Sequence, residues 1–289
     1  MFPGRSIAAA ALVCLAIPAS SAKAQQADKA GQTDVIGLQL GMSRADIEKT
    51  LRAHNPEFKF KEQAQDIVLP NGRPALDAAT GEPRKFLTYL IAEFHAGGDN
   101  PYWKPIRELV ITAFAGEPGK EVAGSISRAV AFEPGQEPPT ATVADGLKAK
   151  YGAKPTGYLD AKTAHEYSWY FDTRGRYQEG NGKSSSIEPV IGGCTIYRVY
   201  NNFAIDAKVG VRIAPATNDR ENCGQLVSAK IVARDDNPGI AAGLGVFLSN
   251  EKYFHEGLIA RKAYIAALQA GAQAKDAEAA KQRGQGVKF

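Results

Sequence analysis

The sequence predicts an α+β protein with two helix-plus-antiparallel-sheet units and a C-terminal helix. Three observations lead to this fold class. Two segments with helical spacing of apolar residues, one starting at Ser43 and one near Thr140, each precede runs of β-branched and aromatic residues. Several of these runs alternate between apolar and polar residues, which is typical of antiparallel strands with one buried face. From about residue 250 onward the helical spacing returns.

The first 24 residues have the composition of a secretory signal peptide. A positive residue precedes an unbroken apolar run at 7–17, and the small-x-small pattern at 22–24 is one that signal peptidase cleaves. The run is too short to cross the ~30 Å hydrocarbon core of a bilayer as a helix. Cys14 lies inside the run without a preceding small residue, so we expect no lipid anchor. The mature chain then starts at Gln25, and we expect it to be periplasmic or secreted.

Charge and hydropathy argue against two classes of partner. Cleavage removes Arg5 and Lys23, which lowers the formal net charge from +4 to +2. A chain this close to neutral has no electrostatic footprint for nucleic acid or anionic lipid. No later segment approaches 18 consecutive apolar residues, so we expect no transmembrane segment in the mature chain.

The first predicted unit spans 35–133 and follows a polar, flexible leader at 25–34. Its helix is capped by Ser43 in a variant of the capping box, and Pro56 stops it. Residues 62–85 are rich in Pro, Gly and charge, which predicts a long loop. β-Branched and aromatic composition predicts strands at 86–94, 106–114 and 124–133.

The second predicted unit spans 134–249. Thr140 or Thr142 caps its helix, and Gly152 ends it. A hairpin is predicted across Asn201 and Asn202. The predicted strands of this unit are 165–172, 195–200, 203–213 and 225–234. The tail at 250–289 is predicted to be helical, with its first half packed on the domain.

Two cysteines remain after cleavage, and we expect a disulfide between them. Cys194 and Cys223 each stand directly before a predicted strand, at the same end of a three-stranded meander. An oxidising compartment favours their pairing, and a closed loop of about 30 residues is worth on the order of 3–4 kcal/mol in the chain-entropy model. The alternatives are a thiol nucleophile and half of a metal site. Neither cysteine has a nearby histidine, and their spacing fits no zinc motif.

The titratable residues show no catalytic or metal-binding pattern. The histidines are far apart in sequence and lack metal-ligand spacing: His54, His95, His165 and His255. His165 and Glu166 are neighbours on a predicted strand, so their side chains point to opposite faces and cannot act together. The serines at 184–186 are not surrounded by a nucleophile elbow. We therefore assign no catalytic residue, no metal site and no cofactor.

Eight aromatic residues fall between positions 167 and 203. We expect most of them in the core. Tyr170 and Tyr197 are the candidates for an exposed aromatic strip, of the kind used to contact a partner or a glycan.

Two segments resemble known families. Residues 36–47, IGLQLGMSRADI, resemble the G-x-x-x-G-M-[ST]-x-x-[DE]-V opening of exported domains with the fold of the SmpA/OmlA (BamE) lipoproteins and β-lactamase-inhibitor proteins. Residues 147–175 resemble the L-x-x-K-Y-G-x-P … W-x-F-D-x-x-G segment of bacterial envelope proteins of unknown function. The resemblance implies capped helices on a small antiparallel sheet, and a non-catalytic domain that binds other proteins.

These observations predict an exported, non-enzymatic binding or scaffold protein that contacts an envelope protein partner. The sequence names no small-molecule ligand. The alternative is a secreted hydrolase whose site is assembled from scattered residues that no motif singles out.

Overall fold

The computed structural model describes residues 33–95, 106–178 and 224–284, and the backbone of 182–183, 190–191, 194–195, 199–204 and 210–213. Its helices are α1 (Arg44–His54), α2 (Thr140–Tyr151) and α3 (Glu251–Gly284). Its strands are β1 (Lys59–Asp66), β2 (Lys85–His95), β3 (Ile106–Ala115), β4 (Val122–Ala131), β5 (Gly157–Ala161), β6 (Ala164–Phe171), β7 (Gly182–Lys183), β8 (Val190–Ile191), β9 (Cys194–Thr195), β10 (Val199–Ala204), β11 (Gly210–Ile213), β12 (Gln225–Ala233) and β13 (Ala241–Asn250).

One large sheet contains nine of these strands, in the order β1-β2-β3-β4-β13-β12-β6-β5-β7. The pairings from β1 to β5 are antiparallel, and β7 adds to β5 in parallel at the edge. The strands of the two chain halves meet in the middle of the sheet, where Val130 of β4 pairs with Leu244 of β13.

This continuous sheet overturns the predicted arrangement of two helix-plus-antiparallel-sheet units. Nine of the thirteen described strands form one large sheet, the other four form two small two-stranded sheets, and only the coarse α+β class is right. The physical reason lies at β4 and β13. Each would otherwise be an edge strand with unpaired backbone groups, and their pairing satisfies both edges at once.

Helices α1 and α2 pack on one face of the sheet. Ile47 and Leu51 from α1 and Leu147 from α2 share one buried cluster with sheet residues such as Val110 and Val227. Burying one side chain of this size is worth about 1.5–3 kcal/mol. The helix starts match the sequence prediction in part. The Ser43 hydroxyl accepts from the Asp46 backbone N–H, as predicted for α1.

The start of helix α2 differs from the prediction that Thr140 or Thr142 caps it, because no side chain caps its N-terminus. The helix starts at Thr140, whose hydroxyl donates instead to the Pro238 carbonyl at 3.0 Å. The predicted cap is therefore replaced by a bond to the loop before β13.

The opposite face of the sheet is covered in part by α3, whose Phe254 belongs to the buried cluster that contains Ile111 and Phe247. Helix α3 packs on β3 and β4, and β11 lies against β4, β13 and β3. Gly257 permits the close approach of α3, because a Cβ there would lie 2.5 Å from the Ala115 Cβ. Beyond Leu268 the helix is largely exposed, so the first half of α3 docks as predicted.

Two predicted connections differ in the structure. Part of the predicted loop at 62–85 is the end of β1, and the rest forms an arm whose Ile67 and Ala75 pack with α3 residues such as Ile265. Asn201 and Asn202 lie inside β10 rather than at a hairpin turn. The hairpin predicted across these residues is therefore wrong, and β10 as a whole pairs antiparallel with β11, with Val199 opposite Ile213.

Candidate functional site

Tyr170, predicted to lie on an exposed strip, is buried. Its side chain is 4% exposed and belongs to the core cluster that contains Leu226 and Phe247. Its hydroxyl accepts from the Gly224 backbone N–H at 3.0 Å, and burial raises the pKa of Tyr170. The prediction of an exposed Tyr170 is wrong because this face of the sheet is covered and does not face solvent. Tyr197 lies outside the described residues.

Other predicted features also fall outside the described part of the chain. Residues 1–32, which include the predicted signal peptide, are outside it, and so is Cys223. Of Cys194 only the backbone is described, in β9. The cleavage site and the disulfide therefore stay predictions.

A pocket of about 520 Å³ opens between the C-terminal end of α2 and the β5–β6 hairpin. This volume lies within the ~300–1,000 Å³ range of small-molecule sites. Its walls come from the end of α2, from the connection to β5 and from both hairpin strands. The lining residues are Lys148, Ala153, Lys154, Pro155, Tyr158, Leu159, Asp160, His165 and Tyr167.

The strand register explains why these side chains converge. Tyr158 pairs with Tyr167, and Asp160 pairs with His165, across the two strands. Directly opposed residues project from the same face, and alternation along each strand repeats this two residues later. All four side chains therefore lie on the face that packs against α2.

Aromatic rings form a fixed back wall behind the pocket. The Tyr167 ring stacks on Trp169 with ring centroids 6.1 Å apart. The Trp169 ring packs in a tilted arrangement against Tyr151, with ring centroids 5.4 Å apart. The Trp169 indole N–H donates to the Gly152 carbonyl at 2.9 Å. Gly152 has a φ of 130°, a conformation that favours glycine, so the end of α2 can turn towards this wall. The Tyr151 hydroxyl donates to the Asp34 carbonyl at 2.9 Å, which ties the wall to the N-terminal segment.

The Lys148 ammonium and the Asp160 carboxylate both line the pocket, but they do not form an ion pair with each other. The Lys148 ammonium lies 5.6 Å from the centre of the Tyr167 ring. Within the described ranges, no carboxylate forms an ion pair with Lys148. Asp160 is the acid in the pocket lining, and its carboxylate contacts His165 Nδ1. The pocket therefore presents an ammonium group whose charge no described carboxylate neutralises directly.

The Asp160 contact determines the tautomer of His165. A carboxylate only accepts hydrogen bonds, so Nδ1 carries the proton and Nε2 of the neutral ring is an acceptor. Burial raises the pKa of Tyr167, and nearby Asp160 and Asp145 raise it further. Its hydroxyl is therefore a neutral group at physiological pH. Chemically, the lining offers two lysines, Lys148 and Lys154, one carboxylate, aromatic surface and one imidazole.

The sequence prediction that His165 and Glu166 do not act together is confirmed. Glu166 lies on the other face, with its carboxylate 3.7 Å from the Lys230 ammonium. The true partner of His165, Asp160, was missed. The signal was present, because a two-residue turn at 162–163 places residues 160 and 165 directly opposite each other.

Neither a metal centre nor a membrane-spanning helix is found in the part of the chain that the structure describes. No three His, Cys, Asp or Glu residues there are grouped closely enough to hold a metal ion. None of the described helices combines the length and hydropathy that a bilayer crossing requires.

Comparisons with known proteins identify no relative. Searches against protein-family models, curated proteins and solved structures each find no match to this chain. The resemblance to the SmpA/OmlA and β-lactamase-inhibitor domains thus stays a prediction from two short segments.

Proposed function

We propose that this chain is an exported, non-enzymatic binding protein, and that the pocket beside β5 and β6 is its contact site for an envelope partner. The observation that carries the proposal is the convergence of an exposed tyrosine and an ammonium group at one open pocket. Tyr158 is 37% exposed, and Lys148 lies on the opposite wall. Export rests on the signal-peptide composition of the first 24 residues.

Tyrosine at a pocket rim is well suited to binding. Its ring supplies large contact area with few rotatable bonds, and tyrosine is enriched among the residues that dominate binding energy. Tyr158 is one of four large hydrophobic side chains that are exposed among the described residues. It replaces Tyr170 as the candidate aromatic contact, because it lies beside the pocket and is accessible.

The test is quantitative capture from an envelope extract by the mature chain. The double variant Tyr158→Ala/Lys148→Met should weaken capture by about 1–3 kcal/mol, the usual scale for an aromatic hot spot. A matched control is Ile259→Ala/Lys275→Met, which also removes one exposed apolar side chain and one ammonium group, both on α3 and outside the pocket lining. Equal loss of the captured species in the two variants, or loss in neither, contradicts the proposed site.

A hydrolase is the second candidate, favoured by the contact between Asp160 and His165. An imidazole whose Nδ1 proton is held by a carboxylate presents Nε2 as a general base. The pocket lining contains no Ser, Thr or Cys, so such a base would act on water directly. Under this alternative, His165→Ala abolishes hydrolysis of a substrate found by screening, whereas Tyr158→Ala retains measurable turnover. Under the binding proposal, His165→Ala leaves capture in place and no turnover is found.

A further inference from the structure

We infer that the pocket binds a ring-bearing carboxylate, with Lys148 pairing the carboxylate and the tyrosine rings contacting the planar part of the ligand. This inference rests on the proposed function, because it names the chemistry of the group that enters the same pocket. The ligand class follows from three properties of the lining: charge, aromatic surface and volume.

The charge of the pocket favours an anion. Lys148 is only partly exposed, and it lies over an aromatic ring rather than beside a described carboxylate. The Tyr167 ring stabilises the ammonium through its negative face without neutralising it. The Asp160 carboxylate is hydrogen-bonded to His165, and it forms no described ion pair with Lys148. The lining contains two lysines, Lys148 and Lys154, against one acid, Asp160, so a ligand carboxylate would supply the ion-pair partner that no described residue gives to Lys148.

The shape of the lining favours a flat ligand. Tyr158 and Tyr167 are paired across the hairpin, and Ala153, Pro155 and Leu159 add apolar surface around them. The Trp169 ring stacks on Tyr167 and so restrains the orientation of this wall. Flat rings contact such a surface by stacking or edge-to-face packing. Acetate and similar small anions would leave this surface without a partner.

The volume fits a small ligand that carries both groups. About 520 Å³ is available, which is larger than a lone carboxylate needs and within the range of small-molecule sites. A benzoate-sized molecule can place its ring against the side-by-side tyrosines while its carboxylate reaches the end of α2, where Lys148 lies.

Three probes separate the two contributions in the mature chain. Benzoate has a ring and a charge, benzamide has the ring without the charge, and acetate has the charge without the ring. Binding is followed by calorimetry and by amide NMR shifts of residues 153–167. We expect benzoate to bind the wild-type chain at least tenfold more tightly than either of the other probes. The inference is overturned if either benzamide or acetate binds as tightly as benzoate. It is also overturned if benzoate shifts no pocket resonance.

Two variants assign the contributions to residues. Lys148→Met should lower the affinity for benzoate at least tenfold and change the affinity for benzamide by less than twofold, because only the charged probe pairs with the ammonium group. Lys275→Met, on the exposed part of α3, should leave benzoate unchanged. Unchanged benzoate affinity in Lys148→Met also overturns the inference. Since the three-probe comparison uses the wild-type chain, poor folding of a variant does not remove the test.

The outcomes also separate this inference from the proposed function. Envelope capture that depends on Tyr158 and Lys148, without selectivity for benzoate, rejects the ligand class and keeps the binding function. Selective benzoate binding without any pocket-dependent envelope capture supports the ligand class and rejects the envelope-partner role.

Discussion

The guanidinium of Arg261, on α3, donates to the backbone carbonyl of Phe114 at the end of β3, with an Nη2–O distance of 3.2 Å. Its Nε donates to the Gly116 carbonyl at 2.9 Å, and its guanidinium lies 4.6 Å from the centre of the Phe86 ring. Burial lowers the pKa of Arg261, although nearby Glu121 and Tyr89 raise it. One side chain thereby joins the C-terminal helix to the ends of two strands.

Replacement of Arg261 by Ala should loosen the docking of α3. The change removes charge-assisted hydrogen bonds and leaves strand-end carbonyls without this donor, which costs about 1–3 kcal/mol in the free energy of unfolding. Urea unfolding of the mature chain measures the loss. Arg283→Ala, at the exposed end of the same helix, is the control and should change the unfolding midpoint little. An Arg261→Ala midpoint equal to that of the control contradicts the prediction.

Tyr170→Phe should reduce stability without affecting binding. The phenol oxygen accepts from the buried Gly224 N–H, and its removal leaves that donor unpaired at a cost of about 1–3 kcal/mol. Urea unfolding measures the cost, and benzoate titration measures binding. A variant with full stability and weaker benzoate binding would show that Tyr170 acts at the pocket after all.

Alkaline pH should destabilise the folded chain through Tyr151. Burial raises the pKa of Tyr151 above its ordinary value of 10.0, and Asp34 raises it further, although Arg128 opposes the shift. Above pH 10 the unfolded chain loses this proton while the folded chain keeps it, so the free energy of unfolding falls as pH rises. Below pH 10 the protonated phenol is present in both states, and its contribution to stability is complete.

The measurement compares urea unfolding at pH 8 and pH 10.5 for the wild type and for Tyr151→Phe. The wild type should lose more stability between the two pH values than the variant, which has no phenol at this position. Other tyrosines with raised pKa values, the half-buried Tyr89 and Tyr167 and the buried Tyr170, give a background that both proteins share. Equal losses in the two proteins would falsify the assignment to Tyr151.

The exported protein should start at Gln25 and carry no lipid. The small-x-small pattern at 22–24 sets the cleavage site, and Cys14 lies within the segment that is removed. Intact mass spectrometry of the protein recovered from its exporting host checks both points. A retained N-terminus, or an acyl group on Cys14, contradicts them.

Cys194 and Cys223 should be bonded in the exported protein. Labelling under denaturing, non-reducing conditions should find no free thiol, and reduction should lower the free energy of unfolding by about 3–4 kcal/mol, as expected for a loop of about 30 residues. The variant Cys194→Ser/Cys223→Ser should match the reduced wild type. Two reactive thiols in the unreduced protein would rule the bond out.

Local chemistry in the sequence determined several elements of the fold directly. Ser43 caps α1 as predicted, because the capping hydroxyl and its N–H partner are three residues apart. Alternation placed His165 and Glu166 on opposite faces, and helical spacing predicted the docked first half of α3. These features depend on neighbours within a few residues, and the pattern of a single segment contains that information.

The tertiary structure decided how the strands combine and which aromatic side chains reach the surface. Pairing of β4 with β13 joins segments more than 100 residues apart, and no local pattern states that two strand edges will meet. The same assembly places Phe254 of α3 in the buried cluster that contains Tyr170, whereas Tyr158, on the other face, stays accessible beside the end of α2. An alternating strand shows that it has two faces, but only the packing of distant segments determines which face is covered. The pocket depends on that packing as well. It forms where the end of α2 lies over the β5–β6 hairpin, and the sequence predicted only one strand of that hairpin.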